Sequence, residues 1–161
     1  MLLSLALLTL SLAQPTDPTL PPSSAHVAYT VEGRGDQIYR CTQQGSALIW
    51  TFQSPEAKLF DPVTHEQTGT HSAGPTWTWN DGSAISGKVL EKSSPDPASI
   101  PWLLLVATPS GSKPGALSSV AFVRRSDTHG GNPPATGCDV QHVGEIFRAP
   151  YTATYIFYIK P

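Results

Sequence analysis

The sequence predicts an all-β fold, an antiparallel sandwich or barrel with at most short helical turns. Two observations carry that expectation. From Val27 onward, β-branched and aromatic residues recur in short alternating runs separated by Gly, Pro, Asn and Asp. Ala, Leu, Glu and Lys never assemble into a long amphipathic helical pattern, and no repeat period is visible.

The elements follow in order. Val27–Val31 reads as a short strand ended by Gly33 and Gly35, and Ile38–Thr42 as a second strand before a turn at Gln44-Gly45. Leu48, Trp50 and Phe52 share one strand face. Pro55–Lys58 is a candidate helical turn, and Lys58–Phe60 is a brief strand ending at Asp61-Pro62. Trp77 and Trp79 lie on one face of the next strand, and Asp81-Gly82 signals a hairpin to Ala84–Leu90. Trp102–Thr108 is almost entirely apolar, as expected for a central strand buried on both faces. Val120–Arg124 is another strand, and Val140–Phe147 is a second candidate helical turn. In the last strand Ala153, Tyr155, Phe157 and Ile159 share one face, and Thr154, Ile156 and Tyr158 the other.

The N-terminus predicts the compartment. Residues 1–13 form an apolar run too short to span a bilayer, which takes roughly 20 residues, and Ser11-Leu12-Ala13 supplies small residues for cleavage after Ala13. The run is read as a signal peptide, although no Lys or Arg precedes it. Residues 14–24, rich in Pro, Thr and Ser, read as an extended, disordered spacer. Residues 25–161 make a single β-domain large enough for its own core. The expected localisation is therefore secreted, with no transmembrane segment after signal removal.

Net charge is −2 and charged residues make up 14 % of the chain, with no basic cluster, which argues against nucleic acid as a partner. No Asn-x-Ser/Thr glycosylation sequon occurs. The chain has two cysteines, Cys41 and Cys138, and an even pair in a secreted protein predicts a disulfide.

Several segments together carry a family resemblance. They are Gln37–Cys41, Pro55–Asp61, Gly69–Ser83, Ile100–Leu105, Arg124–Gly131, Cys138-Asp139 and Tyr151–Tyr158. In this order they resemble the DUF3455 family of secreted fungal and bacterial proteins, departing from its usual pattern at Ser72 and His129. The resemblance implies no defined mechanism. Some members carry the name malate dehydrogenase, but this chain has no G-x-G-x-x-G and no alternating strand–helix pattern for a nicotinamide cofactor.

His71, with Asp61, His65, Glu66 and Asp81 nearby in sequence, suggests a metal or acid–base site, but spacing alone supports it weakly and no metal is expected. A copper oxidase of polysaccharides would need an N-terminal histidine, whereas cleavage after Ala13 exposes Gln14 and leaves His26 internal. Ser72 beside His71 would point to the opposite strand face, and no G-x-S-x-G elbow exists for a serine hydrolase. Arg124 and Arg125 face opposite ways, one towards solvent and the other held near an acid such as Asp127 or Asp139. If the loops carrying His71 and Asp127–His129 meet, they form a polar site at one end of the fold.

The expectation is a non-enzymatic β-domain that binds extracellular material, either a wall polysaccharide or a small apolar ligand, without a cofactor. Trp77, Trp79 and His71 are the ligand-binding candidates, since aromatic rings pack against sugars and apolar ligands alike. The alternatives are a hydrolytic or metal-assisted enzyme using His71, Asp127 and His129, and a structural surface protein.

Overall fold

The computed structural model describes residues 17–160. The leader, its cleavage point and the first part of the spacer lie outside the described residues. Eight antiparallel strands form a closed barrel in which each strand pairs with the next and β8 returns to β1. They are β1 (His26–Gln44), β2 (Ala47–Phe60), β3 (Gln67–Ser72), β4 (Thr76–Trp79), β5 (Ala84–Ser93), β6 (Trp102–Pro109), β7 (Val120–Gly130) and β8 (Ile146–Ile159). The fold is thus all-β, with the barrel realised rather than the sandwich. Closure pairs every strand on both sides, so the free edges are confined to stretches where a short strand leaves its longer neighbour unpaired.

Two expected breaks are absent. β1 runs straight through Gly33 and Gly35, which face inward where the wall is tight. A Cβ on Gly33 would lie 2.5 Å from the Tyr155 ring, and one on Gly35 would lie 2.1 Å from the Glu56 carbonyl oxygen. These glycines permit close approach within a strand instead of ending it. Pro55–Lys58 is likewise strand, not helical turn: Pro55 pairs with Gln37 beside a bulge in which Gln53 is the extra residue. Proline is tolerated there because β2 pairs with β3 only from Ala57 onward, so the amide it lacks has no ladder to serve. The Val140–Phe147 turn survives only in part, since turns span residues 140–144 and Phe147 belongs to β8.

The core fills one end of the barrel. Val31, Leu59, Trp77, Ile85, Leu105, Val123, Tyr155 and Phe157 pack inside, and Leu117 from the β6–β7 connection plugs that end. Asp81 organises the plug, accepting from the Ser83 amide and hydroxyl and from the Ala116 amide. At the opposite end the β7–β8 connection is tied to β1 by the Cys41–Cys138 disulfide and by the Tyr39 hydroxyl, which donates to the Gly131 carbonyl.

β6 is apolar on both faces for a visible reason. Leu105 points into the barrel, while Leu104 packs outside with Phe122 and Tyr158, and Ala25 lies against that outer cluster. The segment read as a spacer is, over residues 17–24, attached to this wall. Thr19 is fully buried, and Asp17 accepts from Arg124 at 2.6 Å. Arg124 also lies over the Trp102 ring, 5.2 Å from its centroid.

Candidate functional site

The β3–β4 hairpin is short, and the barrel wall is low where it stands. β2 extends beyond its last pairing with β3 at Ala57–His71, and β5 extends beyond its last pairing with β4 at Thr76–Ser86. Between those unpaired stretches a cavity of about 300 Å³ opens into the barrel. Phe52 and Pro55 from β2, Val89 from β5, and Gly74-Pro75 from the hairpin tip form its rim. Ile100, Leu103 and Leu105 line one wall, Gln37 and Tyr39 another, and His71, Trp77, Tyr155 and Arg125 complete the lining. Phe52 and Val89 are about half exposed at 50 % and 48 %, so the apolar surface continues outward through the opening.

The aromatic groups interlock. His71 stacks on Trp77 with ring centroids 4.5 Å apart and planes 9° from parallel. Tyr155 meets both rings edge-on, at 5.2 Å and 6.0 Å. Gly87 makes room for this arrangement, because a Cβ there would sit 2.8 Å from the Trp77 ring. Trp79, partly buried, lies outside the cavity lining, against Phe157 at 5.1 Å and Tyr29 at 5.5 Å.

His71 is a neutral core histidine. Burial pulls its pKa down to about 4, the nearby Arg125 charge acts in the same direction, and its bond to the Thr76 carbonyl opposes them. Nδ1 lies 3.0 Å from that carbonyl oxygen, so Nδ1 carries the proton and donates, leaving Nε2 as an acceptor. The unfolded chain, with an ordinary histidine value of 6.5, binds this proton more readily than the folded chain. The His71 contribution to stability is therefore full above about pH 6.5 and falls as pH drops towards 4, by about 3 kcal/mol in all. Chemical denaturation of wild type and His71→Phe across this range should show wild type losing that much more stability. Parallel pH profiles would refute the assignment.

The remaining sequence candidates lie elsewhere. Asp127 and His129 line an outer groove with Glu32, Arg34, Thr152 and Thr154, and that groove shares no residue with the cavity. The Ser126–His129 bulge, with Asp127 at φ 49°, turns both side chains outward. The expected meeting of the His71 and Asp127–His129 loops is therefore not formed. Asp61 accepts from the Val63 and Thr64 amides in its own turn. Among the described residues no group of three or more His, Cys, Asp or Glu is placed to hold a metal.

The two arginines diverge as their alternation requires, but neither is held by Asp127 or Asp139, the acids expected for one of them. Arg124 points outward to Asp17. Arg125 points into the cavity, where Nε and Nη2 donate to the Pro101 carbonyl at 3.0 and 2.8 Å. Asp127 accepts instead from the Ser126 hydroxyl at 3.0 Å, and Asp139 pairs with His142 at 2.6 Å. Gln37 and Leu103 were not singled out by sequence, and Arg125 was read as one of a pair of which one would be held by an acid. The available signal was parity, because Arg125 shares a strand face with Val123.

A family described as "Protein of unknown function (DUF3455)" matches residues 21–159. The chain belongs to the DUF3455 family. No curated protein and no solved structure matches it. In this DUF3455 domain the family match includes residues 21–24, part of the segment laid on the outer wall, as well as all eight strands.

Proposed function

We propose that this protein is a secreted, non-enzymatic barrel that takes a small apolar ligand into the opening between β2 and β5. The observation that carries the reading is the cavity itself. Eight-stranded barrels have interiors just wide enough for side chains or one small ligand, and here part of the interior is left unfilled and open. Its volume, about 300 Å³, stands at the lower end of small-molecule sites. The lining is mostly apolar and aromatic, with a few polar groups, as such sites require. Secretion is supported by the apolar leader and, more weakly, by the disulfide, which persists in oxidising compartments.

The polysaccharide version has less support. Trp77 is 1 % exposed, and Trp79 packs against Tyr29 and Phe157, so neither presents a flat outer platform to a sugar chain. An enzyme using His71, Asp127 and His129 has less still, given their separation across different concavities.

The test is calorimetric titration with anilinonaphthalene sulfonate, an aromatic dye that fills apolar cavities. Wild type should bind one equivalent saturably. Leu103→Trp, which adds bulk to a half-buried wall residue, should weaken binding at least about tenfold while the thermal midpoint stays near that of wild type. Unchanged dye binding in that variant would place the dye elsewhere and count against the reading. Saturable sedimentation with insoluble wall polysaccharide would favour the alternative.

A further inference from the structure

We infer that the ligand is an amphipathic carboxylate whose head group sits on Arg125 and whose apolar body lies along Trp77, Leu103 and Leu105. The inference rests on the internal-cavity reading and specifies the class of compound that would fit it.

Arg125 is the first reason. Its guanidinium lines an apolar cavity, and its hydrogen bonds run to one neutral acceptor, the Pro101 carbonyl. Among the described residues no carboxylate lies within ion-pair distance of it, whereas its sequence neighbour Arg124 has Asp17. None of the cavity-lining residues is Asp or Glu. A purely apolar ligand would strip water from this cation and give nothing back, which is unfavourable. A ligand with an anionic head replaces that water with a charge-assisted pair.

Gln37 is the second, independent reason. It is 3 % exposed, it lines the same cavity, and its Nε2 has no hydrogen-bond partner. A buried amide donor without an acceptor is costly and uncommon. Trp77 Nε1 on the same lining is likewise a buried donor without a partner, and three further polar groups are engaged within the wall. Tyr39 donates to Gly131, the Tyr155 hydroxyl is bonded to that of Tyr151, and His71 Nδ1 donates to Thr76. The Arg125 fork and the Gln37 amide therefore face the cavity as donors, with the neutral His71 Nε2 as an acceptor on the same wall, and an acceptor-rich head group satisfies those donors.

The head is a carboxylate and not a phosphate on grounds of number and shape. One guanidinium fork matches the two oxygens of a carboxylate. A phosphate dianion is ordinarily gathered by several cations or a row of backbone amides, and Arg125 is the sole Lys or Arg in the lining.

The experiment compares octanoate with 1-octanol, which share a chain and differ in the head group, by calorimetry at neutral pH and low salt. Wild type should bind octanoate at one equivalent and at least about tenfold tighter than octanol. Arg125→Met should abolish that preference while retaining octanol affinity, and Arg125→Lys should keep part of it. The wild-type comparison stands even if Arg125→Met fails to fold. Equal affinity of wild type for the two compounds would overturn the carboxylate inference and leave the cavity reading intact. A preference that survives in folded Arg125→Met would overturn it too. Failure of wild type to bind octanoate, octanol or the dye would overturn both.

Discussion

Replacing Trp77 with alanine is expected to cost about 4 kcal/mol of stability, within the usual range for removing a buried aromatic ring. Trp77 is 1 % exposed and touches the stacked His71, the edges of Tyr155 and Phe157, and the space left by Gly87. Small domains hold only about 5–15 kcal/mol in total, so this variant should unfold at much lower denaturant concentration. Trp77→Phe should cost clearly less. It keeps an aromatic partner for His71 and removes the indole Nε1, a buried donor with no acceptor, whose burial carries a penalty of about 1–3 kcal/mol. Equilibrium urea unfolding of the two variants checks both statements. If Trp77→Phe is as damaging as Trp77→Ala, the unpaired indole is not a burden.

Loss of the disulfide is expected to be comparably severe. Cys41 and Cys138 are 97 positions apart, and the bond joins the end of β1 to the connection between β7 and β8. Constraint of an unfolded loop of that length is worth roughly 4–5 kcal/mol in the chain-entropy account. At about 4 °C per kcal/mol for a domain of this size, the Cys41→Ala/Cys138→Ala protein should melt roughly 16–20 °C below wild type. Reductant should bring wild type down to the same midpoint and leave the double variant unmoved. A change of less than about 1 kcal/mol would mean that the connection is held by its other contacts. Two of these are the Tyr39 bond to Gly131 and the Trp50 indole bond to the Thr136 carbonyl.

Much of the barrel was legible because its strands alternate. In β8 the inward Ala153, Tyr155 and Phe157 and the outward Thr154 and Ile156 follow the period-two rule. The apolar run in β6 was correctly read as covered on both faces, though only the structure reveals that the second cover is Phe122, Tyr158 and Ala25. The errors share a cause. Gly33, Gly35 and Pro55 are usually punctuation, and their local chemistry does not disclose that a distant residue needs the space or that a neighbouring strand is missing.

The site was half legible for a related reason. His71 and Trp77 were singled out together, and they are cross-strand partners in the β3–β4 hairpin. Arg125 lies in a polar run whose arginines alternate faces, so sequence showed that one must point inward. It did not show that the inward one would meet a carbonyl in place of a carboxylate, because Pro101 reaches it only through the β6–β7 pairing. Asp127 and His129 were joined to His71 on the expectation that their loops meet at one end of the fold, and the Ser126–His129 bulge turns them outward instead.

The most direct test of the central claim, that the unfilled interior is the binding site, is an octanoate titration followed by NMR of the indole N–H and leucine methyl signals. Trp77 Nε1–H and the methyls of Leu103 and Leu105 line the cavity and should shift together and saturate at one equivalent. Trp50 and Trp102 lie outside the cavity lining and should stay in place. Shifts confined to Trp50 or Trp102, or a cavity that remains silent while octanoate binds, would contradict an internal site.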